Sequence, residues 1–454
     1  MRLKLQTLVN EPGCDHNQSK TDKQKKEACK KPTPGATAGG CAFDGAQIVL
    51  LPVADAAHLI HGPITCCGHS YNNRGTRTTV GDLHDYGFTT DISEMDIIMG
   101  SEKKLKESIK YITEKYRPKA VFVYSTCVTA MIGEDIAQVC KDVSSEVRLP
   151  VIPVDSPGFA GSKNLGNKFA GNSIVEYVVG TKEPEAVPEN SINLIGEYNI
   201  AGELWQIEPI LKDLGINLLS KMTGNATYDE LAYANKAQVS VVICSRALIS
   251  IARQLKDKYE IPYLEGSFYS MKQTKQTLLK IAELLKNDEL KSKIEKYCAE
   301  KEEATYAELE PYLPVLKGKK VLVYTGGVKS WSVLHQLEEL GMEVIKSSTR
   351  KSTEEDIDRI LDHFEGDQSA LMPKGDGRTI LNLIKEHNAH LLLAGGRNMY
   401  NAMKEQIPFL DVNQERHFAF AGYEGMVELA RHMAYTLTSP VFDVAHSKAP
   451  WEVM

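Results

Sequence analysis

Lys119-Ala120-Val121-Phe122-Val123-Tyr124-Ser125-Thr126-Cys127-Val128-Thr129 decides the fold. From Ala120 to Tyr124 the run is continuously apolar, as in a strand buried on both faces of a parallel sheet. It ends in small polar residues just before Cys127. In open α/β sheets, ligands gather beyond the carboxyl ends of strands. That placement raises Cys127 above a generic core thiol.

Upstream, the organising stretch is His61-Gly62-Pro63-Ile64-Thr65-Cys66-Cys67-Gly68-His69-Ser70-Tyr71-Asn72-Asn73-Arg74-Gly75. Its proline, glycines and lack of apolar periodicity predict a tight, backbone-exposing loop. Such loops aim thiolates at a ligand while main-chain amides offset its negative charge. Cys41 has a similar setting in Gly39-Gly40-Cys41-Ala42-Phe43-Asp44-Gly45. Cys41, Cys66 and Cys127 are therefore candidate ligands of one iron–sulfur cluster, since iron takes soft thiolate ligands. Such clusters normally need four, so the fourth would come from another subunit and put the cluster at an interface. The separations, 25 residues from Cys41 to Cys66 and 61 from Cys66 to Cys127, match no compact ferredoxin spacing. Inert buried thiols are the competing reading, and Cys67 could serve in place of Cys66. Cys140, on an apparent helix, reads as core, and Cys298 as a bystander in a charged helix. Cys244, at a strand end, is open between packing and ligation.

Around these residues the strand–turn–helix theme recurs. Gln47–Pro52 reads as a strand and Asp55–Ile60 as a short helical turn. Ser101 is a helix N-cap, with Leu105, Ile109 and Ile112 on one face. Strand Val151–Val154 leads into a glycine-containing turn that opens a helix near Lys168. Lys182–Glu189 is the clearest linker. A second unit follows with strands Ile192–Ile195, Ile216–Leu219 and Val239–Ile243 and a helix over Glu203–Leu214. Thr274–Glu310 reads as helices. A third unit opens at Lys319 and contains the strand–diglycine elements before Lys329 and Arg397. The expected architecture is α/β, with three doubly wound parallel-sheet domains. Their bounds are a polar arm over 1–34, then 35–188, 189–317 and 318–454, the C-terminal helices packing back on the first domain.

Bulk properties exclude several classes. The 454 residues are 42% hydrophobic and 25% charged with a net charge of −7, ordinary for a soluble multidomain protein. No basic block suits nucleic acid, and no apolar run of about 18 residues suits a membrane span. Met1-Arg2-Leu3-Lys4-Leu5 lacks a secretory core, which predicts a cytoplasmic protein. Nine cysteines without a Cys-x-x-Cys favour metal or buried thiols over disulfides. The diglycine turns match no nucleotide fingerprint, and no Ser/His/Asp arrangement supports hydrolase chemistry. Arg74, Lys163, Lys329 and Arg397 could line a cavity for an anionic ligand, against the alternative of solvated surface cations.

Longer segments carry a resemblance from Pro34 to about Thr436. They include Gly39–Ala46, His61-Gly62-Pro63, Gly87-Phe88-Thr89-Thr90-Asp91, Thr126-Cys127-Val128-Thr129-Ala130 and Gly196-Glu197-Tyr198-Asn199. Further on come Cys244-Ser245-Arg246-Ala247, Glu265-Gly266-Ser267-Phe268-Tyr269, Tyr324–Trp331 and Gly395–Tyr400. On these the chain resembles the nitrogenase component 1 superfamily, and within it the members that assemble the iron–molybdenum cofactor. The resemblance implies a scaffold with no catalytic residues, paired with a NifN-like subunit as an α2β2 heterotetramer. It implies a permanent [4Fe–4S] cluster on Cys41, Cys66 and Cys127, with the partner supplying the fourth ligand. It also implies a transient cofactor precursor that receives molybdenum and homocitrate, served by the nitrogenase Fe protein, a precursor donor and a catalytic acceptor. Cys244 matches the cofactor-holding cysteine of the catalytic subunit. Arg74, Lys163 and Lys329 match its cofactor-facing positions. Two imidazoles of the catalytic subunit are missing: Asn164-Leu165-Gly166-Asn167-Lys168 and Phe420-Ala421-Gly422-Tyr423-Glu424-Gly425 lack them, though His417 lies nearby. The competing expectation is a catalytic α subunit of the nitrogenase or tetrapyrrole-reductase type.

Overall fold

Three parallel sheets carry the chain in the computed structural model, which describes residues 40–71, 76–243, 245–349, 352, 354–372, 377–413 and 417–447. Every pairing within those sheets is parallel. The expected α/β class with three doubly wound sheets is what the chain adopts. The described residues group into two compact units: the first holds residues 40–51, 55–71 and 82–176, the second residues 52–54, 76–81 and 177–447.

In the first unit the helices and strands run α1 (Ala42–Leu50), β1 (Ala57–His61), α2 (Ile64–Tyr71), β2 (Phe88–Thr89), α3 (Glu94–Met99) and α4 (Glu102–Tyr116). Then come β3 (Val121–Ser125), α5 (Cys127–Met131), α6 (Ile136–Val147), β4 (Val151–Val154) and α7 (Lys163–Tyr177). The sheet order is β2-β1-β3-β4. Helices α4 and α6 cover one face: Leu105, Ile109, Ile112, Val139, Cys140 and Val143 pack on Leu59, Val121 and Val123. Burying each large aliphatic side chain there contributes roughly 1.5–3 kcal/mol. Ser101 is the N-cap residue of α4, as its position predicts, and Cys140 is core.

Three local expectations are corrected. Gln47–Leu50 belongs to helix α1, not to a strand. An unbroken apolar run does not distinguish a buried helix from a buried strand, and all nine residues of α1 are buried. Ala57–His61 is the strand instead, fully buried and paired with β3 along its whole length. Its two histidines disguise it as polar, yet both are hydrogen-bonded inside the unit. Ile64–Tyr71 is helical rather than a loop, its first amide donating to the Asp91 carboxylate at 3.2 Å.

The second unit holds two sheets. The first comprises β5 (Ser191–Ile195), β6 (Asn217–Met222), β7 (Val239–Val242) and β8 (Tyr263–Glu265), in the order β6-β5-β7-β8. Helices α8 (Glu203–Leu214), α9 (Tyr228–Tyr233), α10 (Ser245–Tyr259), α11 (Met271–Leu284), α12 (Asp288–Leu309) and α13 (Leu313–Leu316) belong to this part. The second sheet contains β9 (Lys320–Tyr324), β10 (Glu343–Ser348), β11 (Leu371–Met372), β12 (Leu391–Ala394) and β13 (Phe409–Asp411), ordered β11-β10-β9-β12-β13. Its helices include α14 (Lys329–Glu339), α15 (Glu354–His363), α16 (Gly377–His387) and α17 (Met399–Lys404). Helix α18 (Gly422–Leu437) packs on α8 and α12. One apolar core runs from Ile192 to Ala434 through both sheets. Cys298 is fully buried in it as a packing residue. No helix among the described residues is long and apolar enough to cross a membrane.

Candidate metal centre

Three helix starts bring the three predicted cysteines together in the first unit. Cys41 is the residue before α1, in extended conformation and bridged to Ser162. Cys127 opens α5, two residues beyond the end of β3, behind a capping box made by Thr126 and Thr129. Cys66 lies in the first turn of α2. A Cβ built on Gly158 would lie 2.9 Å from Cys127 Sγ and 3.1 Å from Cys41 Sγ, so both sulfurs flank the space that this glycine leaves open. Burial, with the neighbouring thiols of Cys127, Cys41 and Cys67 adding to it, pushes the Cys66 thiol up to about 11. Thiols that crowd and repel in this way ionise when a metal takes their protons' place.

Cys67 faces elsewhere. Neighbours on a helix are turned by about 100°; Cys67 is buried, its Sγ 3.1 Å from where a Cβ on Gly87 would stand. Cys41, Cys66 and Cys127 are each half-buried instead. Three soft ligands beside an open space fit an iron–sulfur cluster.

A buried polar network fixes the spacing between α2 and α5. His61 Nε2 meets Glu134 Oε2 at 2.7 Å, and His61 Nδ1 meets the Thr90 hydroxyl at 3.0 Å. Burial lowers the imidazole's proton affinity despite Glu134, so a neutral ring donates from Nε2 and accepts at Nδ1. Ser101 donates its hydroxyl to the other Glu134 oxygen at 2.6 Å. The His61 carbonyl accepts from Thr126 and Thr129 hydroxyls at 3.0 and 3.3 Å. Gly62 permits this approach, because a Cβ there would fall 2.3 Å from Thr126 Oγ1. Sequence reading missed the network: residues 61, 90, 101 and 134 share no local pattern, and only folding joins them.

The other predicted residues fall in both units or outside the described residues. Arg74 and Cys244 lie outside the described residues. In the first unit Lys163 pairs with buried Asp44 at 2.9 Å, and its backbone lies where a Cβ on Gly45 would be 2.0 Å from its carbonyl oxygen. In the second unit Lys329 begins α14, beyond β9. Its ammonium donates to the Val412 carbonyl at 3.2 Å and sits 5.0 Å from the centre of the Tyr269 ring. Tyr269 in turn meets Glu197, which follows β5. His417 is exposed, its carbonyl accepting from Arg77 at 3.2 Å. Asn167, oriented with its nitrogen toward α1, donates to the Gly45 carbonyl at 2.8 Å and the Lys163 carbonyl at 3.2 Å.

The family model described as nitrogenase component 1 type oxidoreductase matches residues 41–438. The chain belongs to the nitrogenase component 1 family. Among family members, a protein from Nostoc sp. is 51% identical over 99% of this chain and 94% of its own length. One from Klebsiella pneumoniae is 47% identical over 98% of each. Both bear the name nitrogenase iron-molybdenum cofactor biosynthesis protein NifE. The solved structure "Nitrogenase Cp1 at pH 6.5" superposes with a TM-score of 0.82 at 24% identity, covering 93% of each chain. That likeness establishes the component 1 fold.

Proposed function

We propose that the chain is a scaffold on which the iron–molybdenum cofactor of nitrogenase is built. In this reading Cys41, Cys66 and Cys127 hold a resident [4Fe–4S] cluster, and a NifN-like subunit supplies its fourth ligand in an α2β2 complex. The observation that carries it is the convergence of those three thiols while Cys67 turns away. Around them Ile64, Met131 and Phe159 are exposed, and α3 carries Met95, Ile97, Ile98 and Met99 without burying any residue. Exposed apolar residues clustered in this way mark a protein–protein surface, which suits a cluster shared with a partner.

The cargo is a cofactor precursor that gains molybdenum and homocitrate here before passing to the catalytic component, with the Fe protein and a precursor donor as further partners. Cys244 is its proposed tether and Lys329, in the same unit, a cation for its negative charge; Arg74, Lys163 and His417 are assigned by the family likeness. Nothing in this reading makes the chain itself a catalyst, and a cytoplasmic site of action suits it. Asn167 and Ala421 stand where the resemblance places catalytic imidazoles. The first is a packing amide between α7 and α1, and the second is fully buried at the start of α18. Both speak for the scaffold over a nitrogenase or tetrapyrrole reductase.

The test is anaerobic co-purification with the NifN-like partner, iron counting and EPR of the dithionite-reduced complex. About four irons per pair are expected without precursor. They are lost in Cys41→Ala, Cys66→Ala and Cys127→Ala and kept in Cys67→Ala. Unchanged iron in the first three variants would sink the assignment.

A further inference from the structure

In the second unit, two helices present three further ligands to one point. His335 and Glu338 are three residues apart on α14 and share a face. His363 ends α15, which packs against it. Glu338 Oε2 lies 3.3 Å from His335 Nδ1 and 3.7 Å from His363 Nδ1, and one ligand atom from each of the three lies within 4.8 Å of the others. The imidazole planes stand at 87°, with centroids 6.0 Å apart.

We propose that His335, Glu338 and His363 form a binding site for a divalent first-row transition-metal ion. Zinc bonds nitrogen and oxygen at about 2.0–2.2 Å, which puts tetrahedral ligand atoms roughly 3.4 Å apart. The two contacts to Glu338 already have that spacing. Two imidazoles and one carboxylate favour zinc, iron or a similar ion over calcium or magnesium. Trp331 packs edge-on against His335 at 6.4 Å and carries the Arg359 guanidinium on its face at 4.7 Å, which restricts the ring.

Three protein ligands leave one coordination position for an exchangeable ligand. That position has room: the trio lines a cavity of about 420 Å³ together with Gln273, Gln276, Lys272 and Asp362. Lys272 opposes a cation electrostatically, while Asp362 and Glu365, which also line the cavity, offset it. The site is thus one for a metal held reversibly, not a sealed structural zinc.

The experiment uses the intact complex with any affinity tag removed, titrated with Zn²⁺ by equilibrium dialysis and examined by zinc X-ray absorption. One zinc per chain is expected, bonded to nitrogen and oxygen at about 2.0–2.1 Å without sulfur. His335→Ala/His363→Ala should abolish it. Glu338→Gln, at a side chain more than half exposed and therefore safe for folding, should weaken it about tenfold or more. Zinc uptake unchanged in Glu338→Gln and in the double variant overturns the proposal, as does a shell containing sulfur in the parent protein. Should the double variant misfold, Lys272→Gln decides. Removing that charge tightens zinc binding if the trio holds the ion, and an unchanged affinity refutes it.

Discussion

At the scale of single residues, the centre depends on what is absent as much as on its thiols. Gly158 keeps open the space between the Cys41 and Cys127 sulfurs. Gly158→Ala would place a methyl 2.9 Å from one and 3.1 Å from the other. Iron content should fall by more than half while far-UV circular dichroism stays at the parent level; full iron would show that the space is not used. His61 acts one step removed, as a positioning residue for helices α2 and α5. Burial holds its imidazole below the ordinary range near 6.5 although Glu134 pulls the other way. The unfolded chain therefore binds more protons than the folded one, and stability rises with pH. The contribution of His61 is present above about pH 6.5 and is lost as pH falls toward the depressed native value. Protection of β1 and β3 amides from hydrogen exchange, corrected for intrinsic rates, should decline from pH 7.5 to 5.5. In His61→Gln that decline should be shallower, though protection at pH 7.5 is lower. An equally steep decline would remove His61 as the cause.

At the scale of elements, α1 and α7 meet backbone to backbone. A Cβ on Gly166 would sit 1.8 Å from the Ala42 carbonyl oxygen, and one on Gly45 would sit 2.0 Å from that of Lys163. Gly166→Ala must push the helices apart and move Cys41 with α1. A loss of about 1–3 kcal/mol is expected from such overpacking, seen as a lower melting temperature together with reduced iron. The same elements show what was legible in the sequence. Strands β3, β4, β5 and β9 and helices α4 and α8 announce themselves by apolar runs or periodicity, and with them come the parallel sheets. The interchange of helix α1 and strand β1 was not legible. Ile48-Val49-Leu50-Leu51 has the composition of a strand, and only burial on all sides makes it a helix. His58 and His61 look polar until Tyr124, Thr90 and Glu134 take up their nitrogens. Cys41, Cys66 and Cys127 were legible as a set. The choice of Cys66 over Cys67 from local spacing was not, because a loop lets both reach a metal whereas helix α2 turns them apart. Helix α3 has the opposite character, with Ile98 and Met99 74% and 77% exposed. Ile98→Lys/Met99→Lys should weaken association with the partner subunit about tenfold or more, read by analytical ultracentrifugation, and leave the melting temperature of the isolated chain unchanged. Undiminished association would place the interface elsewhere.

At the scale of the whole molecule, the two units divide the work along chemical lines. The first concentrates soft thiol ligands and an unpartnered apolar surface; the second carries two sheets on one continuous core, with Lys329 and Tyr269 at strand ends. In the proposed reading, a cluster with three ligands from one chain and one from its partner is a cross-link as well as a cofactor. Its loss removes the bonds between subunits and leaves three crowded thiols, among which burial and the neighbouring sulfurs push Cys66 up to about 11. Both effects weaken association, one directly and one by loosening the starts of α1, α2 and α5, on which the exposed apolar residues depend. Stripping the iron with a chelator under anaerobic conditions should therefore shift the complex toward separate chains. The second unit has its own apolar core, so its sheets should keep their hydrogen-exchange protection throughout. Restoring iron and sulfide should reassemble the complex with release of protons, since coordinating thiols must ionise. A complex that stays whole after every iron is removed would mean that the apolar surface alone holds the partner and that the cluster is not shared.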